Sequence, residues 1–533
     1  YEHAHEESRQ GRTTRGAAVL AGGALVFASL VAATSPAAAE DALPSPSFAA
    51  PSPVGDSGNV VGLVVEHSAT SAARVGSAAR SNSFGVAAAT TTVEPGVSKI
   101  TFDEPTDTTE AERLAARIAR LPGVTDVSLN TWFVPAALPP GGAPSDPYFG
   151  DLHGIWDHRD TFAYSMGGTN HLATLPKGGY ATKAPALWKL TRGSSKSIVA
   201  VLDTGSTPHP DLDANTVKGY DLISDKDTAR DGNGRDPNPN DEGDYCEEWG
   251  SDARSTWHGT HVAGTIAAVQ NSIGVIGNAP RAKIQHVRVL GGCGGSMDDV
   301  ADGITWASGG KVAGTKRNTK PAKILNLSLE AAGVPCSNYL QKAINGARKR
   351  GSVVIVAAGN NGIDARNTSP ANCKNVITVG ATSFLGARAS YSNYGNTIDL
   401  SAPGGAIGDW RDSNNNPDLA AGIYSTHNSG SYGQGSPSYA PMQGTSMATP
   451  GVSGVAALIV AMRPKITAKQ LERVLRQSVS KFPNQTSHGA LNCAKAKNCG
   501  KGIIDATRVP TTFIAKPKVS NARVGRKAKV SPK

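Results

Sequence analysis

The sequence predicts an α/β protein in which a mostly parallel sheet lies between layers of helices, preceded by a small α+β unit. Segments 198–202 and 352–358 are apolar over nearly their whole length, which is typical of strands buried on both faces of a parallel sheet. The segment 337–350 has the pattern of a helix and is followed by Gly351, a common helix stop. Repeated strand–helix units of this kind build parallel sheets.

Size and charge limit the classes of protein that the chain can represent. Its 533 residues are 39% hydrophobic, which is enough for a large core and for more than one folded unit. The net charge of +10 would suit a nucleic-acid or membrane partner. However, no basic–aromatic interleaving or zinc-finger spacing accompanies it, and none of the six cysteines forms a Cys-x-x-Cys pair. We therefore expect a basic secreted protein without a nucleic-acid partner.

Residues 1–39 have the pattern of a signal peptide. Three arginines precede an apolar stretch at 17–33, and small residues at 35–39 offer a cleavage site before Glu40. The apolar stretch is short for a membrane span, so we expect a secreted, extracellular protein, or one attached at the cell surface, without stable membrane insertion. Export also permits disulfides. Residues 40–57 are rich in Pro, Ser and Ala, which indicates a linker.

A small α+β unit is expected at 58–138. Its alternating and apolar segments predict three strands and one helix, at 60–65, 97–102, 124–129 and 108–121 respectively. The unit contains no group of residues with obvious chemistry. The Pro/Gly/Ala-rich residues 134–147 at its end are typical of an exposed segment that is open to proteolysis.

Ser446 is the first candidate for chemistry. It lies in the segment Gly444–Pro450, before an apolar run at 455–462 that has the length and composition of a helix. Near a helix N-terminus, free backbone N–H groups could stabilise an oxyanion once a base has taken the serine proton. A serine before an apolar helix is also the commonest N-cap, so this segment alone leaves both interpretations open.

Three other polar residues follow strands or begin a helix. Asp203 and Asn360 each follow an apolar strand, and His258 begins a helix of small residues. Catalytic groups in open α/β sheets lie just past the carboxyl ends of strands, although an aspartate there is often only a turn residue. His258 and His261 could suggest a metal pair, but no glutamate lies between them and no third ligand is evident. With Ser446, the three residues supply an acid, an amide donor, a base and a nucleophile.

Asp203, His258 and Ser446 follow one another in the chain in the order Asp, His, Ser. In this order they resemble the catalytic residues of the subtilisin-like serine peptidases, or subtilases. The resemblance covers roughly residues 145–508. Four separate motifs carry it, namely Val201–Gly205, His258–Thr265, Ala358–Gly362 and Gly444–Pro450. It implies a three-layer α/β/α fold, with a catalytic domain at 139–508 and a basic tail at 509–533.

The resemblance also implies a serine endopeptidase that acts through an acyl-enzyme. Ser446 would attack the peptide carbonyl, His258 would take its proton and pass it to the leaving amine, and Asp203 would hold the imidazole. The side-chain amide of Asn360 and the backbone N–H of Ser446 would form the oxyanion hole. A processing protease of narrow specificity and a non-catalytic binding protein of the same fold are the alternatives.

Subtilases bind their substrate as an extended strand between two segments of the enzyme. The residues that match these segments and their surroundings are Gly294, Gly295, Ser296, Ser328, Leu329, Glu330, Ala358 and Gly359. Glu330 departs from the family, which usually has glycine at this position. Its carboxylate could favour basic side chains of the substrate, or it could point to solvent.

The resemblance further implies a propeptide, disulfides and calcium. The unit at 58–138 resembles the family's inhibitory propeptide, so the expected partners of a monomeric, self-processing zymogen are polypeptide substrates and its own propeptide. Six cysteines allow fifteen pairings, of which the resemblance selects Cys246–Cys293, Cys336–Cys373 and Cys493–Cys499.

Structural Ca²⁺ is implied, and no organic cofactor. The oxygen ligands would come from the side chains of Asp211 and Asn271 and the carbonyls of Val269, Ile273 and Val275. An acidic insertion at 225–252 offers a second candidate set of calcium ligands, although acidic loops are usually only solvated. The residues of this set are Asp231, Asn233, Asp236, Asp241 and Asp244.

Overall fold

The computed structural model divides the chain into two compact units, residues 1–132 and 133–533. The predicted signal peptide, the predicted linker, most of the segment 134–147 and most of the predicted C-terminal tail lie outside the residues that the structure describes. The described residues are 60–80, 88–106, 108–131, 144–159, 161–166, 169–247, 254–410, 418–484, 492–509, 518–519 and 530–531.

The small unit is a four-stranded antiparallel sheet with two helices. Its elements are β1 (Val60–His67), α1 (Ala72–Arg80), β2 (Ala88–Glu94), β3 (Val97–Thr106), α2 (Thr108–Ile118) and β4 (Val124–Thr131). The strand order is β2–β3–β1–β4. Leu114 and Ile118 on α2 pack against Leu63 and Ile100 of the sheet. The predicted strands and helix are present, while α1 and β2 are additional elements.

The large unit contains seventeen strands and eight helices among its described residues. Its strands are β5 (Thr161–Met166), β6 (Thr169–Thr174), β7 (Ile198–Asp203), β8 (Thr216–Asp221), β9 (Lys283–Arg288), β10 (Ile324–Leu327), β11 (Ala331–Ala332), β12 (Val353–Ala357), β13 (Thr368–Ser369), β14 (Ile377–Thr382), β15 (Leu400–Pro403), β16 (Ile423–Asn428), β17 (Pro437–Met442), β18 (Val479–Ser480), β19 (Ile503–Ile504), β20 (Lys518–Val519) and β21 (Val530–Ser531). Its helices are α3 (Pro185–Trp188), α4 (Lys226–Ala229), α5 (His258–Ala267), α6 (Met297–Ala307), α7 (Asn338–Lys349), α8 (Thr445–Met462), α9 (Ala468–Gln477) and α10 (Cys493–Ala496).

A nine-stranded sheet forms the centre of this unit. Its strand order is β18–β19–β15–β14–β12–β10–β7–β9–β8. Every neighbouring pair is parallel except β18 and β19 at one edge. This confirms the predicted α/β class with a mostly parallel sheet.

Helices cover both faces of the sheet and enclose two hydrophobic cores. In β7, Val199 and Val201 face the core that includes residues of α5, α8 and α9. Ala200 and Leu202 face the core that includes residues of α6 and α7. All four side chains are fully buried, which explains why β7 is apolar from Ile198 to Leu202.

The fold brings the ends of several elements together at one edge of the sheet. β7, β10 and β12 are parallel neighbours, so their carboxyl ends lie side by side. Asp203 is the last residue of β7, and His258 is the first residue of α5.

α8 is apolar and long enough to cross a membrane, but 83% of it is buried inside the unit, as in the core helix of a globular domain.

Candidate active site

A buried aspartate orients the histidine at the start of α5. Nδ1 of His258 donates to Oδ1 of Asp203 at 2.7 Å, and the Asp203 side chain is fully buried. The backbone N–H of Thr204 donates to the same oxygen at 2.9 Å. Burial lowers the pKa of His258, but the Asp203 carboxylate outweighs it and raises that pKa above its ordinary 6.5. The pair therefore leaves Nε2 as the basic atom of His258.

Ser446 lies in the first turn of α8 and is not its N-cap. Gly444 occupies the N-cap position, so the capping alternative does not hold. Ser446 and His258 line the same cleft. The Ser446 hydroxyl donates to the carbonyl oxygen of Ser328 at 3.2 Å. The Ser446 hydroxyl must therefore give up this hydrogen bond before His258 can take its proton, and such rearrangement is common in substrate-free sites.

A polar network beneath the cleft holds the backbone of Ser446. Pro450 has no N–H, so it cannot form the usual helical hydrogen bond to the carbonyl of Ser446 four positions earlier. The hydroxyl of Ser328 donates to that carbonyl instead, at 2.8 Å. Nδ2 of Asn326 donates to the Ser328 hydroxyl at 3.0 Å, and Ser453 donates to Oδ1 of Asn326 at 2.8 Å. The sequence analysis missed Asn326, although it is a polar residue within an apolar strand.

Two N–H donors border one small region beside Ser446. Oδ1 of Asn360 accepts hydrogen bonds from the backbone N–H and the hydroxyl of Thr445, at 2.8 and 3.0 Å. A Cβ atom added to Gly444 would lie 3.5 Å from the Ser446 nitrogen and 3.7 Å from Nδ2 of Asn360. Oδ1 of Asn360 lies 3.6 Å from the same point, so the Asn360 amide and the Ser446 nitrogen border one space, which Gly444, with φ +152°, keeps free of a side chain. An oxyanion hole requires this arrangement.

The cleft itself encloses about 470 Å³. Five of the eight predicted substrate residues line it, namely Gly294, Gly295, Ser328, Leu329 and Glu330. The other three lie elsewhere. Ser296 caps α6 by accepting from the N–H of Asp299, Ala358 is fully buried, and Gly359 lies directly behind the Glu330 carboxylate.

The Glu330 side chain turns toward Asn360, just past the end of β12, and not toward solvent. Its Oε1 accepts a hydrogen bond from the backbone N–H of Asn360 at 2.9 Å. Its Oε2 is buried and has no hydrogen-bond partner among the described residues. Burial raises the pKa of Glu330, and hydrogen bonds from Asn360 oppose that rise. The alternative in which this carboxylate points to solvent is therefore wrong.

Comparison with known proteins gives the family. The model of the subtilase family matches residues 194–500, more than half of the chain. The chain belongs to the subtilase family.

The most similar relatives include proteases from several bacteria. The extracellular protease of Xanthomonas campestris pv. campestris is 43% identical over 426 residues, which cover 79% of this chain and 64% of the relative. The extracellular basic protease of Dichelobacter nodosus is 38% identical over 413 residues, covering 75% of this chain and 60% of the relative. The chain thus spans less than two thirds of the length of these two relatives.

A solved structure and a shorter relative match over nearly their whole length. Subtilisin Savinase of Lederbergia lenta is 35% identical over 319 residues, 60% of this chain and 96% of the relative. The solved structure of a protease from Pseudoalteromonas arctica is 42% identical, with a TM-score of 0.59, and the match covers 69% of this chain and 99% of that chain.

Three disulfides are present in this subtilase, and they join the pairs that the resemblance implies. They are Cys246–Cys293, Cys336–Cys373 and Cys493–Cys499. Cys293 lines the cleft, and its partner Cys246 belongs to the acidic insertion. The disulfide therefore ties the insertion to one wall of the cleft.

The acidic insertion supports the Asp203–His258 pair and is not simply solvated. Asp241 is fully buried and accepts a hydrogen bond from the Thr204 hydroxyl at 2.6 Å. The same hydroxyl accepts from the N–H of Gly259 at 3.0 Å, in the first turn of α5. Burial raises the pKa of Asp241 to about 7. Within the described residues, no group of three or more His, Cys, Asp or Glu residues is arranged to hold a metal ion.

The predicted calcium loop is assembled around two buried carboxylates. Asp211 accepts from Nδ2 of Asn271 at 2.9 Å and from the N–H of Val275 at 2.9 Å. Asp146, which the sequence analysis missed, accepts from the N–H of Asn271 at 3.0 Å. Its Oδ2 is buried without a partner among the described residues. Burial raises the pKa of Asp146, and the nearby charge of Asp211 raises it further.

These two carboxylates provide the chemistry that a calcium ion requires. Hard oxygen ligands in a loop suit Ca²⁺, and the unpartnered oxygen of Asp146 extends the predicted set. Asn271 presents its amide nitrogen to Asp211, so its side-chain oxygen can serve as a ligand only after the amide rotates. Oδ2 of Asp211 also accepts from the Tyr439 hydroxyl at 2.8 Å, so donors would have to move from both Asp211 oxygens before calcium binds. The oxygen chemistry of the donor set suits calcium once these groups move.

His261 has a structural role. Its Nε2 lies 3.0 Å from the carbonyl oxygen of Ile423 and 3.1 Å from that of Ala440. The side chain is fully buried, and burial lowers the pKa of His261 to about 3. The metal-pair alternative for His258 and His261 has no support in this geometry.

Proposed function

We propose that this subtilase is a secreted serine endopeptidase that cleaves peptide bonds through an acyl-enzyme on Ser446. One observation carries the proposal: His258, paired with the buried Asp203, and Ser446 line one cleft, and the Ser446 nitrogen and the Asn360 amide border one space beside Gly444. The names of the relatives from Xanthomonas and Dichelobacter, both called extracellular proteases, support it. The three disulfides also suit an exported protein.

The first half of the reaction forms the acyl-enzyme. Nε2 of His258 takes the hydroxyl proton as Oγ of Ser446 bonds to the substrate carbonyl carbon. The negative charge on the carbonyl oxygen is stabilised by the N–H of Ser446 and by Nδ2 of Asn360. His258 then gives its proton to the leaving nitrogen, and the C–N bond breaks.

The second half releases the product. Water enters in place of the leaving amine, His258 takes its proton, and the hydroxide adds to the acyl carbon. The same donors stabilise the second oxyanion, and Ser446 leaves with its proton restored. Asp203 remains ionised throughout and stabilises the imidazolium through the 2.7 Å hydrogen bond.

We further propose that the small unit is a propeptide that the precursor cleaves from itself during maturation. It has its own core and contains no catalytic residue, and it precedes a catalytic unit that would be a hazard to the cell that makes it. Calcium would be held by the carboxylates of Asp146 and Asp211, with oxygen atoms of the 269–275 loop. When bound there, it would neutralise two buried negative charges and stabilise the loop.

Hydrolysis of an unfolded protein tests the proposed activity. The mature enzyme should cleave casein, whereas Ser446→Ala and His258→Ala should lose almost all activity, on the order of 10⁶-fold by the effect measured in subtilisin itself. Ser352→Ala serves as a control. Ser352 is also a buried serine, and its hydroxyl donates to the carbonyl oxygen of Ala322 at 2.7 Å, away from the cleft. Residual activity of Ser446→Ala near the wild-type level would contradict the proposal. The alternative of a non-catalytic binding protein predicts that none of these variants, nor the wild type, cleaves casein.

A further inference from the structure

We propose that Glu330 makes the cleft selective for a lysine or arginine on the acyl side of the cleaved bond. This inference rests on the proposed endopeptidase activity. It concerns the residue whose carbonyl Ser446 attacks, and it names the substrate class that the resemblance to other subtilases leaves open.

The oxyanion hole fixes where the side chain of that residue must lie. Its carbonyl oxygen is held by Nδ2 of Asn360 and the N–H of Ser446, so its Cα is one bond away from the attacked carbon. The side chain therefore enters the cleft beside the strand end that carries Asn360. Glu330 reaches this strand end from the opposite segment, because its Oε1 accepts from the backbone N–H of Asn360 at 2.9 Å.

The Glu330 carboxylate lies in the space in front of Gly359. A Cβ atom added to Gly359 would collide with Oε2 of Glu330, and Gly359 has φ +104°, which other residues rarely adopt. Most side chains at position 359 would therefore be excluded. Glu330 also lines the cleft, so one wall carries a carboxylate that is hydrogen-bonded to the backbone of Asn360.

This carboxylate has unused capacity to accept hydrogen bonds. Oε2 is buried and has no partner among the described residues. A buried, unpaired carboxylate oxygen is unfavourable, and an ammonium or guanidinium group would supply the missing donors. The raised pKa of Glu330 reflects the same burial. An uncharged side chain in the pocket would leave the oxygen unpaired.

The charges around the cleft agree with a basic substrate. Of the described residues that line it, none is a lysine or arginine, while both Asp244 and Glu330 are acids. The whole chain, by contrast, has a net charge of +10. The Asp244 carboxylate already accepts from the N–H and the hydroxyl of Thr256, so Asp244 acts through its charge, whereas Glu330 keeps a free oxygen.

Two peptides that differ in one group measure the selectivity. They are identical fluorogenic peptides with either lysine or norleucine before the cleaved bond, so they differ only in the ammonium group. A hydrogen bond to a charged group predicts a preference for lysine of about 10–100-fold in kcat/KM. Glu330→Gln keeps an acceptor for the Asn360 N–H and removes the charge, and we expect its lysine-to-norleucine ratio to fall to about 1.

Asp151→Asn is the matched control, because Asp151 is an exposed acid outside the cleft lining and the change removes the same charge. It should keep the wild-type ratio. Titration of each variant with a fluorophosphonate gives the concentration of active enzyme. A wild-type enzyme that cleaves both peptides equally well, or a Glu330→Gln variant that keeps the lysine preference, overturns the inference alone. Absence of cleavage of either peptide and of any label on Ser446 overturns the proposed function, and the inference with it.

Discussion

Replacement of Ser328 by alanine tests how the chain holds the proposed nucleophile. Pro450 deprives the carbonyl of Ser446 of its helical hydrogen bond, and the Ser328 hydroxyl donates to that carbonyl at 2.8 Å. The same hydroxyl accepts from the Asn326 amide at 3.0 Å. Ser328→Ala therefore leaves two polar groups without partners at a site that is only 2% exposed.

The structure gives the size of the expected effect. Each buried polar group that loses its partner destabilises the fold by about 1–3 kcal/mol. Two groups sum to about 2–6 kcal/mol, and we expect about 2–4 kcal/mol because neighbouring atoms relax. Pro450→Ala restores an N–H that can reach the Ser446 carbonyl in the usual helical geometry. In the Ser328→Ala background it should recover about 1–2 kcal/mol, the part that belongs to this carbonyl.

A double-mutant cycle separates these terms. The unfolding free energies of both single variants and the double variant are measured in denaturant, in a Ser446→Ala background that prevents autolysis and keeps the backbone carbonyl. Ser352→Ala is the control, since it removes another buried serine donor but should show no coupling to Pro450→Ala. A coupling within about 0.5 kcal/mol of zero between Ser328→Ala and Pro450→Ala would refute the reasoning, because independent sites add to within that margin.

Three further predictions concern pH, calcium and maturation. Only neutral His258 can take the Ser446 proton, so kcat/KM should fall as the pH drops through the pKa of His258. Because Asp203 raises that pKa, the midpoint of the pH–rate profile should lie above 6.5, and a lower midpoint would contradict this prediction. Calcium should raise the melting temperature relative to that measured with a chelator, with about 2.7 kcal/mol of stabilisation at a calcium concentration of a hundred times Kd. Asp146→Asn and Asp211→Asn should abolish this difference, whereas Asp151→Asn should keep it. An unchanged calcium response in both ligand variants would contradict the proposed site. Wild-type enzyme expressed in a host without extracellular proteases should lose the small unit, whereas Ser446→Ala should retain residues 60–131; equal intact masses for the two would mean that another protease performs the cleavage.

Much of the fold could be predicted because local pattern and burial agree. Val199 and Leu202 face different cores, so β7 is apolar from Ile198 to Leu202, and that pattern is visible in the sequence. The elements that were missed lack such a pattern. α1 contains a single large apolar residue, Val75, and its glycine and alanines give no clear face. β2 consists mostly of alanine and threonine, which leaves its partner strand undetermined.

The proposed catalytic residues could be selected because each lies at the end of a strand or near the start of a helix. Contacts between distant segments could not be predicted from one sequence. The hydrogen bond from Ser328 to Ser446 spans 118 positions, and the one from Asn271 to Asp146 spans 125. Asp146 alone reads as a turn residue before a proline. Only the folded chain gives it a role beside the predicted calcium loop.

Covalent labelling with a fluorophosphonate tests the central claim most directly. The reagent forms a bond from phosphorus to Oγ of an activated serine and releases fluoride. For the mature enzyme we predict one adduct per molecule by intact mass, on the peptide that contains Ser446, and labelling that is slower by several orders of magnitude in His258→Ala. An adduct on a different serine, no adduct on folded enzyme, or equally fast labelling of His258→Ala would contradict the assignment of Ser446 as a nucleophile activated by His258.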